Sequence, residues 1–250
     1  MPRLKLTLEY DGTAYVGWQR QLNGKSVQEV VEHALSELLG APISTFAAGR
    51  TDAGVHALGQ VLAFDAPRAL PPTAYLRGLS ALLPEDIAVV GATEVPADFD
   101  PRRDALGKRY RYLLCNRPVR SPLRRRTHWQ LFAPVDVRAM DEAARPLLGT
   151  HDFSAFRAAN CEALTTVRTL RELSILASDE VVQFELEGRA FLKHMVRNIV
   201  GTLVEVGRGR QPIPWVAEVL ASCDRTRGGP TAPPQGLVLV EVRYGDPAPE

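Results

Sequence analysis

The sequence predicts an α+β protein of two halves, each with the order β-α-β-β-α-β that is typical of ferredoxin-like domains. The first strand shows clean alternation, because Leu4, Leu6 and Leu8 fall on one face. The following apolar residues between Val27 and Leu38 instead have helical spacing. The same order of strand-like and helix-like segments then recurs after residue 106. We expect the two halves to form one broad, mostly antiparallel sheet with helices on one face.

The elements of the first half are bounded by recognisable start and stop signals. Ser26-Val-Gln-Glu29 is a capping box at a helix start, and Gly40 is a typical helix end. Proline at 71 and 72 opens a second helix that Pro84 closes. The predicted elements are strand 4–10, helix 27–39, strands at about 43–48 and 57–64, helix 72–83 and strand 87–95.

The second half repeats this order without a detectable repeat of residues. Asp98-Phe-Asp-Pro-Arg-Arg103 is suited to a linker, so we predict domains at 1–105 and 106–250. The predicted elements are strand 108–116, a helix from Val135 to Gly149, strands 168–177 and 181–187, helix 192–206, a short helix at 213–221 and strand 237–244.

The formal net charge of +1 hides two basic segments. Residues 101–126 contain ten bases and one acid, and residues 189–210 contain five bases and one acid. Basic stretches inside a nearly neutral protein indicate a local polyanion site, and Arg suits phosphate better than Lys does. The alternative is a pair of ordinary solvated faces.

Several classes of protein are disfavoured by the sequence. The three cysteines are far apart, and the five histidines lack metal-ligand spacing, so we expect neither disulfides nor a metal. No P-loop and no Gly-x-Ser-x-Gly elbow is present. The N-terminus lacks the apolar region of a signal peptide, and no apolar run has transmembrane length. We therefore expect a cytoplasmic protein without membrane contact.

The most informative segment is Gly49-Arg-Thr-Asp-Ala-Gly-Val-His-Ala-Leu-Gly-Gln60. It places Asp52 on a glycine-containing loop between two predicted strands, two residues after Arg50. A carboxylate held on such a loop beside a cation is a candidate nucleophile or base. The alternative is a tight turn with a surface salt bridge.

Two further segments carry candidate binding residues. Arg109-Tyr-Arg-Tyr112 mixes aromatic and basic residues on a strand, which is typical of surfaces that stack bases and neutralise phosphates. Arg197 and Gly201 lie on one side of the predicted helix 192–206, where a glycine permits close backbone approach. The alternatives are core tyrosines and an amphipathic helix with a polar outer face. Trp18 is either a further stacking residue or a buried one.

Six segments in the same order resemble the TruA family of tRNA pseudouridine synthases. They are Tyr10-Asp-Gly-Thr-Ala-Tyr-Val-Gly-Trp-Gln-Arg-Gln21, Ala48-Gly-Arg-Thr-Asp-Ala-Gly-Val-His-Ala-Leu-Gly-Gln-Val61, Lys108-Arg-Tyr-Arg-Tyr112, Gly149-Thr-His-Asp-Phe153, Phe191-Leu-Lys-His-Met-Val-Arg-Asn-Ile-Val-Gly-Thr-Leu203 and Gly236-Leu-Val-Leu-Val240. The resemblance extends over nearly the whole chain.

The resemblance implies a role for each candidate residue. Asp52 resembles the catalytic aspartate, Tyr110 the tyrosine that stacks on the target base, and Arg197 the arginine that pairs with the aspartate. Arg50 resembles a residue that assists base flipping, and Leu237 an apolar wall of the pocket. The implied enzyme is a homodimer with a basic cleft between its halves. It acts on uridines 38, 39 and 40 of the tRNA anticodon stem-loop.

The implied reaction converts uridine to pseudouridine without a redox change, so we expect no cofactor and no metal. Asp52 attacks either C6 of the base or C1′ of the ribose, and the sequence leaves both routes open. Two alternatives remain at this point. One is a catalytically inactive tRNA-binding module, and the other is N-glycoside hydrolysis on the same scaffold.

Overall fold

The computed structural model describes residues 1–245, which form five α-helices and ten β-strands. The helices are α1 Val27–Leu39, α2 Pro72–Leu82, α3 Val137–Ala144, α4 Met195–Gly207 and α5 Trp215–Ser222. The strands are β1 Arg3–Tyr10, β2 Phe46–Ala47, β3 His56–Asp65, β4 Ile87–Val95, β5 Gly107–Asn116, β6 Trp129–Leu131, β7 Gly149–Asp152, β8 Val167–Ser178, β9 Val181–Gly188 and β10 Leu237–Arg243. The predicted α+β class is confirmed.

The chain forms two compact units, and the last strand belongs to the first of them from Val238 on. Unit 1 comprises Met1–Leu106 and the chain from Val238 onward, and unit 2 comprises Gly107–Leu237. The predicted domains 1–105 and 106–250 stay a prediction.

In unit 1, the chain order β1-α1-β2-β3-α2-β4 is the predicted β-α-β-β-α-β. Strand β1 pairs antiparallel with β3 and β4, while β10 pairs parallel with β3 through Val238 and His56. The N-cap Ser26 accepts a hydrogen bond from the Glu29 amide, and Gly40 ends α1 at φ +71°, as predicted. The core consists of fully buried side chains, among them Leu6, Leu8, Leu35, Leu62, Phe64, Tyr75 and Leu79.

In unit 2, β9 pairs antiparallel with both β5 and β8, and β8 pairs antiparallel with β7. The short strand β6 pairs parallel with the end of β5. The mostly antiparallel character predicted for the sheet is therefore confirmed. The largest fully buried side chains here are Tyr112, Leu114, Phe153, Phe156 and Phe184. No helix among residues 1–245 is long and apolar enough to span a membrane.

Candidate active site

The loop that carries Asp52 is fixed by the backbone of residues 15–18 in unit 1. Gly17 and Asp52 form an isolated antiparallel bridge, and the Trp18 amide donates to the Thr51 carbonyl at 3.1 Å. Within the loop, the Val55 amide donates to the Asp52 carbonyl at 3.1 Å. Because the main chain is bonded on both sides of Asp52, the position of its carboxylate is restricted by the fold.

Gly17 permits this close approach of two backbones. Its φ of +113° is unfavourable for residues with a side chain, and a Cβ would lie 2.6 Å from the Thr51 carbonyl oxygen. Gly54, which has a φ of +76°, makes the turn that follows Asp52. The two glycines therefore determine the course of the loop.

A buried polar network, which the sequence does not predict, holds the Asp52 loop. The Tyr10 hydroxyl lies 2.8 Å from Thr51 Oγ1, and Gln60 Nε2 donates to the Gly49 carbonyl at 2.9 Å. Burial raises the pKa of Tyr10 to about 12, so this phenol is neutral at ordinary pH. The network anchors both sides of Arg50, the exposed residue between Gly49 and Thr51.

The side chains of the loop differ in exposure. Asp52 is half-buried and Arg50 is exposed, whereas Thr51 and Val55 are buried. The tight-turn alternative accounts for the glycines but not for the buried anchoring of the loop. Trp18 is only 2% exposed, so its interpretation as a stacking residue is wrong and the buried alternative is confirmed.

In unit 2, Tyr110 lies on β5 with its side chain on the same face as Tyr112. Tyr110 is 8% exposed and packs edge-to-face on Phe191, with ring centroids 5.1 Å apart. Tyr112 is fully buried and its hydroxyl donates to the Pro233 carbonyl at 2.8 Å. Burial raises the pKa of Tyr112, so its phenol stays neutral. Of the two tyrosines, Tyr110 alone retains some exposure to solvent.

The arginines that flank Tyr110 lie on the opposite face of the strand, because successive side chains of a strand alternate. Arg109 Nη2 lies 3.1 Å from Glu187 Oε2, and Arg111 Nε lies 2.5 Å from Glu185 Oε1. Both acids belong to the neighbouring strand β9. The interpretation of this segment as a surface that combines stacking with phosphate neutralisation is therefore wrong for these two arginines.

Arg197 lies in the first turn of α4 and is held by the segment before β10. Its Nε donates to the Ala232 carbonyl at 2.8 Å, and the Ala232 amide donates to the Arg197 carbonyl at 3.1 Å. One turn further on, a Cβ at Gly201 would collide with the Pro230 carbonyl. The predicted close backbone approach at Gly201 is confirmed.

Helix α4 differs from the prediction at its start and on its polar side. It begins at Met195 rather than Leu192, since His194 has a φ of +64° and cannot continue the helix. Asn198 is 1% exposed and Thr202 is fully buried. The alternative of a polar outer face is therefore wrong. Leu237, the first residue of β10, is also buried.

The candidate residues thus fall into two sets. Arg50 and Asp52 share one loop of unit 1, whereas Tyr110, Arg197 and Leu237 belong to unit 2. Among residues 1–245, no group of three or more His, Cys, Asp or Glu side chains is arranged to hold a metal ion.

Comparison with known proteins decides the family. The family model described as tRNA pseudouridine synthase matches residues 7–103 and 143–245. The chain belongs to this family. A tRNA pseudouridine synthase A from Myxococcus xanthus is 65% identical over 250 residues, which are 100% of this chain and 94% of that protein. One from Geotalea uraniireducens is 50% identical over 244 residues, 98% of this chain and 100% of that protein.

Membership of the tRNA pseudouridine synthase family makes the protein an isomerase. Among solved structures, the archaeal box H/ACA sRNP Nop10–Cbf5 complex is similar, with a TM-score of 0.38 and 15% identity. The similarity covers 80% of this chain and 43% of that chain, and the score is too low to compare sites.

Proposed function

We propose that this tRNA pseudouridine synthase converts uridine to pseudouridine at positions 38, 39 and 40 of the tRNA anticodon stem-loop. The observation that carries the proposal is the Asp52 loop. A half-buried carboxylate stands there on a backbone bonded to residues 17 and 18. The presence of the six sequence segments of the TruA family supports the positions of the target uridines.

Asp52 acts as the nucleophile in this proposal. The N1–C1′ bond of uridine breaks, the uracil turns, and C5 forms a new bond to C1′. The C5 proton leaves and N1 gains a proton, so the product keeps the composition of the substrate. In the C6 route a transient covalent bond to the carboxylate holds the base while it turns. In the C1′ route the bond holds the ribose, and the pocket retains the detached uracil. Because no electrons are exchanged with a partner, the reaction requires no cofactor.

The other four residues bind and orient the nucleotide. Tyr110, fixed by Phe191, stacks on the flipped uracil. Arg197, held by Ala232, pairs with the Asp52 carboxylate and orients it. Extrusion of the target from the stem costs a few kcal/mol, and Arg50 assists this flipping by phosphate contact. Leu237 forms an apolar wall against the base.

The experiment is carbodiimide mapping of pseudouridine on an unmodified tRNA with uridines at 38–40. Wild type, Asp52→Asn and the matched control Asp141→Asn, which changes a carboxylate on α3, are incubated with the tRNA in EDTA. We expect reverse-transcription stops at those positions with wild type and Asp141→Asn, and none with Asp52→Asn.

Other outcomes separate the alternatives. Full activity of Asp52→Asn would show that Asp52 is not the nucleophile. Tight tRNA binding by wild type without any stops would favour the binding module, and release of free uracil would indicate N-glycoside hydrolysis. Loss of activity in EDTA that is restored by a divalent metal would contradict cofactor independence.

We also propose that the enzyme is a cytoplasmic homodimer, as the family resemblance implies. Light scattering of the purified chain is expected to give twice the mass of one protomer. A monomer mass at micromolar concentration would contradict the assembly without affecting the proposed reaction.

A further inference from the structure

An open cavity of about 630 Å³ lies within unit 2 and shares none of its lining with the five candidate site residues. It is formed by residues 157–160, the start of α4 and residues 225–231. Its lining includes Arg157, His194 and Arg225 but no Asp or Glu. The lining therefore carries the positive charge of two arginines and contains no carboxylate.

Arg225 provides one part-buried charge of this cavity. Its Nη2 donates to Asn198 Oδ1 at 3.2 Å and to Thr231 Oγ1 at 3.3 Å, and both acceptors are neutral. Burial lowers the pKa of Arg225, and within residues 1–245 no carboxylate pairs with it to oppose that effect. A partly desolvated guanidinium with only neutral acceptors is stabilised by an anion that enters the cavity.

The neighbours of Arg225 hold it in one orientation. Asn198 is 1% exposed, and its Nδ2 donates to the Phe156 carbonyl at 2.8 Å. Its Oδ1 also accepts from Thr231 Oγ1 at 2.7 Å. The Gly229 amide donates to Thr202 Oγ1 at 3.0 Å and thereby ties the segment to α4. An anion therefore meets a guanidinium whose position is already fixed, which reduces the entropy lost on binding.

Arg157 provides the second cation of the cavity. In the part of the chain that the structure describes, its half-buried side chain makes no hydrogen bond. The charge that it faces is Asp152, whose Oδ1 already accepts from the Ser154 amide at 2.9 Å and from Ser154 Oγ. The Arg157 donors remain available to a ligand.

We propose that this cavity, which we call the arginine pocket, binds a phosphodiester of the tRNA substrate. The planar donor fork of arginine matches phosphate oxygens, and two arginines suit the charge of a nucleotide backbone better than that of a neutral metabolite. Pockets of about 300–1,000 Å³ hold small ligands, so the space accepts a phosphate together with its adjoining sugar. The proposal rests on the proposed function, because it assumes an RNA substrate.

The test compares tRNA affinity across a salt series for Arg157→Gln, Arg225→Lys and the control Arg138→Gln, which alters an exposed arginine on α3. Loss of one phosphate contact reduces the slope of log K against log salt by about 0.7 to 0.9. We expect Arg157→Gln to show this reduction and about a tenfold weaker Kd at low salt. Arg225→Lys keeps the charge, so we expect weaker binding with the slope retained.

The Arg157 side chain makes no hydrogen bond within residues 1–245, so Arg157→Gln decides the proposal if Arg225→Lys fails to fold. Binding of Arg157→Gln that equals the Arg138→Gln control would overturn the proposal, as would weaker binding with an unchanged slope. A second arm measures melting with inorganic phosphate. Stabilisation of wild type that Arg157→Gln abolishes, with tRNA affinity unchanged, would assign the pocket to free phosphate instead.

The binding measurement is independent of catalysis. If wild type forms no pseudouridine at 38–40 but the slope still responds to Arg157→Gln, the proposed positions fail and the pocket stands.

Discussion

Two sets of arginines in unit 2 differ in their partners. The paired arginines, Arg109, Arg111, Arg117 and Arg124, each lie within 3.2 Å of a glutamate oxygen. The pocket arginines, Arg157 and Arg225, have neutral hydrogen-bond partners or none within residues 1–245. The paired set belongs to the densest basic segment of the sequence, whereas the pocket pair is separated by 67 residues.

This contrast shows that a high density of arginines in the sequence does not by itself identify an anion-binding site. Arg109 and Arg111 are opposed by Glu187 and Glu185 through the antiparallel register of β5 and β9. Each charge is paired within the protein, and these cross-strand ion pairs stabilise the pairing of β5 with β9. A phosphate site instead requires a cationic side chain whose donors are left without acidic partners in the folded protein. Tertiary contacts determine whether that is so.

The largest effect is expected at Arg197, which we propose to pair with the Asp52 carboxylate. Arg197→Lys retains charge but loses the donor fork and the bond to Ala232. Loss of one oriented donor to a reacting group lowers rate by about 100- to 1,000-fold, and we expect that range in single-turnover pseudouridine formation.

Arg208→Lys, at the other end of α4, is the matched control and is expected to retain activity. Equal activity of the two variants would show that Arg197 contributes to the fold and not to the reaction. A melting temperature that falls in parallel with the rate would point to the same conclusion.

A smaller effect, on stability alone, is expected at Arg111. Glu185 Oε1 accepts from Arg111 and Gln183, while its buried Oε2 has no hydrogen-bond partner within residues 1–245. Arg111→Gln leaves this carboxylate without its cation, so we expect a loss of about 1–3 kcal/mol in urea unfolding. The salt slope of tRNA binding is expected to stay unchanged.

The double variant Arg111→Gln/Glu185→Gln is expected to recover most of that stability, since it removes the unpaired charge as well. Arg103→Gln, which breaks an exposed pair with Asp104, is the control and is expected to give no measurable change. A flattened salt slope in Arg111→Gln would show that phosphate competes with Glu185, and the two sets would then no longer be distinct.

A still smaller effect is expected at exposed arginines of the same basic segment. Arg120 and Arg125 form no ion pair among the described residues, in contrast to Arg124, which lies 3.2 Å from Glu180. We expect Arg120→Gln/Arg125→Gln to weaken tRNA binding severalfold and to reduce the salt slope by about 1–2. The melting temperature of this double variant is expected to be unchanged. Arg124→Gln is expected to reduce the salt slope less than the double variant does.

The sequence predicts what is determined locally. The ends of α1 follow from Ser26 and Gly40, and the close approach at Gly201 follows from a glycine within a helical pattern. The Asp52 loop is predicted from its motif. Its anchors Tyr10 and Gln60 are not, because they come from strands β1 and β3 that meet only after folding.

Other features depend on contacts that no local pattern reveals. Helix α4 starts three residues late because His194 adopts a left-handed conformation while the Lys193 carbonyl accepts from the Ala158 amide. The glutamates that neutralise Arg109 and Arg111 lie more than 70 residues away in sequence. The arginine pocket likewise joins segments near 157, 194 and 225, so spacing alone does not predict it.

The smallest effect concerns Asp152, and it decides to which set Arg157 belongs. Hydrogen bonds from Ser154 hold the pKa of Asp152 below its usual value, and Arg157 contributes least among the causes. A carboxyl group whose pKa is lower in the folded than in the unfolded state stabilises the fold at pH values above its unfolded pKa. This contribution is lost as the pH falls through the folded pKa. We therefore expect Ser154→Ala to raise the pKa of Asp152 clearly more than Arg157→Gln does. An NMR titration of the Asp152 carboxyl group measures both shifts. The reverse order would mean that Asp152 already neutralises Arg157, which would make it a paired arginine and leave Arg225 as the single cation of the pocket.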